Sequence, residues 1–139
     1  MPDPEHRRPD GVDDGTVTAL GKLSEALETT ERARGHLYAM HQLTGSADLM
    51  LDDAVRLFRE AGHDDLAERI ERELIGRNVI TGRWTFQLVE DYDDGYYTLF
   101  KELERAAREA LVGGRRHLYE AEMRQRRRTA GQPGHEWEP

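Results

Sequence analysis

An all-α fold, an antiparallel bundle of three to four helices with disordered N- and C-terminal tails, is what this 139-residue chain predicts. Three observations carry that expectation. Apolar residues recur at spacings of three and four over two long stretches, glycines punctuate those stretches, and no cysteine is present to staple a smaller fold. The length suits one core, so a single helical domain over 16–123 is expected between a mobile N-terminal arm at 1–15 and a basic, then irregular, tail at 124–139.

The first stripe is Leu20, Leu23, Leu27, Thr30, Leu37, His41 and Thr44, with Ala26, Ala33 and Met40 beside it. It predicts a helix over Thr16–Thr44, stopped by Gly45, with Ser46 capping the next helix. That second helix, Ala47–Ala61, offers Met50, Leu51, Ala54, Val55, Leu57 and Phe58 as contacts before Gly62 ends it. A third starts at Asp64 or Asp65, where carboxylates favour the N-terminal dipole, and turns Leu66, Ile70 and Leu74 inward. The period breaks over 76–82.

From Arg83 two patterns compete. As a helix, Trp84, Leu88, Tyr92, Tyr96, Leu99, Leu103, Ala106 and Ala110 form one stripe; as a hairpin, Trp84/Phe86/Leu88 alternate up to a turn at Asp93-Asp94-Gly95. The helix is preferred because its stripe continues into Lys101–Leu111, although a mid-helix Gly95 is unfavourable. Gly113-Gly114 stops it, and Arg115–Arg128 predicts a short further helix using Leu118, Ala121 and Met123.

Charge and composition exclude several classes. The chain is acidic, net −8, with its basic excess confined to the segment ending in Arg124–Arg128, so nucleic-acid binding is not expected. No apolar run reaches the roughly 18 residues of a bilayer span and the N-terminus carries no secretory h-region, which predicts a cytoplasmic protein without membrane partners. No nucleophile elbow, Walker loop, dinucleotide fingerprint or cysteine nucleophile occurs, so neither an enzyme nor a cofactor is implied.

The functional candidates concentrate in Gly76–Tyr97, GRNVITGRWTFQLVEDYDDGYY. Arg77, Asn78, Arg83, Trp84, Phe86, Gln87, Glu90, Tyr92, Tyr96 and Tyr97, with His41 from the first helix, are the expected ligand or interface residues. With Leu99 facing the core, Phe86 and Tyr97 stand on the opposite, polar side, as interface aromatics do. The expected role is therefore interaction or assembly as a homodimer, through an unknown protein partner or small ligand. Two alternatives are a pocket lined by Trp84, Tyr92, Tyr96 and His41, with Arg77, Asn78 or Arg83 orienting a polar group, and a ferritin-like metal site. The second rests on Glu60-Ala-Gly-His63 with His41, but a di-iron bundle needs two Glu-x-x-His motifs and this chain has one.

The same stretch, with HLYAMHQLTGSAD upstream and RRHLYEAEMRQRRRTAGQPGHE downstream, resembles a family of small uncharacterised helical proteins of high-GC bacteria, over roughly residues 35–136. The resemblance implies no activity, substrate or cofactor.

Overall fold

A computed structural model describes residues 4–136. After a 3-10 turn at Pro4–His6 come α1 (Asp14–Glu60), α2 (Asp64–Glu73), α3 (Thr85–Tyr92), a π-helical turn (Asp93–Tyr97), α4 (Thr98–Val112) and α5 (Leu118–Arg127). The fold is an all-α helical bundle. Among the described residues there is no strand, only an isolated bridge between Ile80 and Arg83, so the hairpin pattern is not realised. No helix there is long and apolar enough to cross a membrane.

The helices gather in two compact units. One holds the chain up to Thr30 and from Tyr96 onward; the other is Glu31–Gly95.

In the first unit, α1 begins two residues before Thr16 because Asp13 caps it, accepting the Thr16 backbone N–H at 2.7 Å. The Thr16 hydroxyl and N–H hold the Asp13 carboxyl below its ordinary range. Val17, Leu20, Val112 and Leu118 form the core, with Val12 and Ala107 packed on it. Contacts of Val17 with Val112 at one end and of Ser24 with Glu104 further along make α1 and α4 antiparallel. Arg8, in the segment expected to be an arm, forks onto Glu122 at 2.8 and 2.9 Å. Gly113, at φ +63°, ends α4 in the left-handed conformation that glycine adopts without a Cβ clash. Helix α5 lies within the short further helix expected over Arg115–Arg128, and so takes the first basic residues of the tail into the helix.

In the second unit, α1 pairs antiparallel with α3: Arg34 meets Asp93 and His41 meets Thr85. It also pairs with α2, where Arg59 bridges to Glu71. Val55, Ala67 and Val89 are its buried apolar residues. In α2 only Ala67 is fully buried and Ile70 partly so; Leu66 and Leu74, expected to face inward, are exposed.

Two departures from the sequence reading have definite causes. The stop at Gly45 does not occur, and α1 runs unbroken for 47 residues. Its inward seam is Leu37, His41, Thr44, Asp48, Leu51, Val55 and Phe58, an alternation of four and three that passes Gly45 without losing phase. A mid-helix glycine costs about 1 kcal/mol, whereas a break there would abandon the burial of Leu51, Val55 and Phe58, worth more. Gly45 has open space at its Cβ position, while a Cβ on Gly21 would lie 3.0 Å from Tyr119 Cβ and Cγ. Gly45→Ala is therefore expected to stabilise the protein by up to about 1 kcal/mol. Gly21→Ala should gain none of this, because α5 must recede from α1; thermal melts of the two variants make the comparison.

The second departure is the face of α4. Hydrogen bonding from i to i+5 spends one residue more per turn than an α-helix, so the turn at Asp93–Tyr97 advances the side-chain phase by about 100°. The stripe expected to continue through Tyr96, Leu99, Leu103, Ala106 and Ala110 is exposed, and the residues one position later, Tyr97, Phe100, Glu104 and Ala107, turn inward instead. The turn occupies the place where Gly95 weighed against a regular helix.

Candidate functional site

The inward seam of α1 in the second unit carries polar residues in an otherwise apolar register, and each has a partner. The Arg34 guanidinium donates to both Asp93 oxygens, at 2.5 and 2.8 Å, a bidentate pair about a third exposed on each side. His41 Nδ1 lies 2.7 Å from Thr85 Oγ1 with Tyr38 edge-on at 6.0 Å. Asp48 accepts the backbone N–H of Gly76 at 2.9 Å. These contacts pin the loop and α3 to α1. Polar pairs in a core specify register more than they add stability.

The remaining candidates of this unit are spread along its surface. Arg77, Asn78 and Glu90 are exposed, and Arg83 pairs with Asp91 at 3.4 Å in solvent. Trp84 begins α3, its backbone N–H donating to Gln87 Oε1 at 2.9 Å, and its ring lies 5.2 Å from that of Phe86, both exposed. Gln87 is thus a helix cap, and Tyr92 is half-buried. In the other unit, Tyr96 is exposed edge-on to Phe100, and Tyr97 is half-buried beneath Lys101, whose Nζ sits 4.4 Å from the ring. Of the pocket residues proposed from sequence, His41 comes together with Thr85, a residue the sequence reading passed over.

The three metal candidates do not converge. Glu60 is held by Arg56 at 3.1 Å, His63 packs edge-on to Phe58, and His41 serves Thr85. Among the described residues, the group with metal-ligand spacing is Glu28, His117 and Glu120.

A feature not anticipated from sequence lies on α1 itself. Leu43, Ala47, Met50, Ala54 and Leu57 alternate at four and three, each one position ahead of the inward seam and so about 100° around the helix from it, and Ala61, in the turn that follows α1, continues the spacing. Five of the six are exposed and Ala54 is half-buried; Leu43 is 69%, Met50 68% and Leu57 55% accessible. Large and small residues alternate strictly along this second seam. The signal is present in the sequence as a second heptad phase, hidden there because Leu51, Val55 and Phe58 of the first phase interleave with it.

No family model matches this chain, and no curated protein or solved structure matches it.

Proposed function

We propose that this protein is an interaction and assembly protein that works as a homodimer, joined through the second seam of α1. The observation that carries this reading is the six-position pattern Leu43/Ala47/Met50/Ala54/Leu57/Ala61. When two copies of this helix pair antiparallel about a two-fold axis near residue 52, Leu43 falls opposite Ala61 of the other copy, Leu57 opposite Ala47 and Met50 opposite Ala54. Every large side chain then meets a small one, the complementarity that lets facing layers interdigitate. The pattern is self-complementary, which favours a second copy over an unrelated partner.

The state of the isolated chain supports the same reading. Only seven apolar residues are buried among those described, while seventeen large apolar side chains are at least 40% exposed. A chain of this size that leaves so much apolar surface in water gains stability by covering it. Six large side chains leaving water across the two-fold contribute on the order of 10 kcal/mol before association costs, enough for a micromolar or tighter dimer.

Light scattering behind size exclusion is expected to give twice the chain mass of 16.0 kDa at micromolar concentration. A monomer at that concentration would contradict the proposal.

A further inference from the structure

We propose that Glu28, His117 and Glu120 form a binding site for a divalent transition-metal ion. The ligand atoms of these three residues lie within 4.8 Å of one another, drawn from the first third of α1 and from the N-cap and first turn of α5, elements nearly ninety residues apart in sequence. His117 Nδ1 is 4.0 Å from Glu120 Oε2. Three ligands about 2.1 Å from a tetrahedral ion sit about 3.4 Å apart. All three side chains are exposed or half-buried, so the remaining closure takes only rotamer adjustment.

Most paired glutamates in this protein are matched to a basic side chain, and this group is not. Glu25, Glu60, Glu71, Glu73, Glu104, Glu109 and Glu122 each face an arginine or lysine. Glu28 has no hydrogen-bond or ion-pair partner among the described residues, and Glu120 has only His117. Two carboxylates brought to one imidazole, neither of them ion-paired with an arginine or lysine, leave negative charge that a cation would compensate. One nitrogen and two oxygen donors suit zinc and neighbouring borderline ions better than magnesium or calcium, whose ligands are oxygens. A partly open cavity of about 20 Å³, lined in part by Ser24, His117 and Glu120 together with Arg108 and Arg115, adjoins the group, room for one water as a fourth ligand. An ion there would clamp α5 to α1. The site is separate from the dimer seam, and neither proposal depends on the other.

The test is equilibrium dialysis of the tag-free full chain, stripped with chelator, against zinc chloride, with melting temperature followed in parallel. Expected are about one ion per chain, a raised melting temperature, and binding weakened roughly tenfold or more in Glu28→Gln and in His117→Asn. Asparagine is chosen because His117 has φ +55°, a conformation that asparagine tolerates. His63→Ala should bind as the wild type does. Absence of binding at 100-micromolar zinc, or binding unchanged in both ligand variants while they remain helical, would overturn the site.

Discussion

Arg108→Met is expected to destabilise the protein by about 3–5 kcal/mol, the cost of leaving a buried carboxylate without its counter-charge. Glu104 is the one charged residue among those described that is fully buried, with its side chain 9% exposed and that of Arg108 13%. The Arg108 Nε donates to Glu104 Oε1 at 2.7 Å, Ser24 Oγ donates to the same oxygen at 3.0 Å, and Arg108 Nη1 donates to the Gly114 carbonyl at 2.9 Å. The one guanidinium therefore neutralises an acid between helices and satisfies a carbonyl beyond the end of α4. Methionine keeps the stem and removes both functions. For a chain of this size the loss corresponds to a fall in melting temperature of roughly 10–20 °C. The double variant Glu104→Gln/Arg108→Met should recover a large part, because a neutral amide needs no counter-ion. A single variant that melts within a degree or two of wild type would show that the pair contributes nothing inside the fold.

The second large effect is on assembly. Met50→Glu/Leu57→Glu is expected to give a 16.0 kDa monomer that keeps its far-UV helical signal, since glutamate is a good helix former and both sites point to solvent within one chain. Ala47→Leu tests the packing mode more sharply. It adds apolar surface to the seam, so a general hydrophobic contact would strengthen. In the antiparallel arrangement it fills the space that Leu57 of the other copy occupies, and the dimer should weaken by tenfold or more, as overpacking costs about 1–3 kcal/mol at each of two symmetric sites. Tighter association of Ala47→Leu would exclude the large-over-small register, and a dimer unaffected by the glutamates would place the interface elsewhere.

Assembly is also where the sequence reading and the structure part. Sequence pointed to Phe86 and Tyr97 as the exposed aromatics with Leu99 inside. In the structure Phe86 is exposed, Tyr97 is half-buried and Leu99 is exposed. A single extra residue in the turn at Asp93–Tyr97 accounts for this, because spacing rules assume 3.6 residues per turn without interruption. Nothing local in Asp-Asp-Gly-Tyr-Tyr distinguishes a π turn from an α turn. Its acid Asp93 is held by Arg34, a residue 59 positions away.

What the amino-acid sequence by itself determined was the helical class, the stops at Gly62 and Gly113 and the helix over Asp64–Glu73, all of which follow from side-chain spacing and from glycine's backbone freedom. Both seams of α1 were legible as heptad phases, but which phase faces the protein and which faces water was not, since Leu43 and Leu51 are equally apolar. Tertiary structure decided that, by setting Thr85, Asp93 and Gly76 against His41, Arg34 and Asp48. It likewise carried α1 through Gly45, rotated α4, and brought Glu28 to His117 and Glu120. Each depends on contacts between residues far apart in the chain, whose energies exceed the roughly 1 kcal/mol by which local propensity separates one backbone state from another.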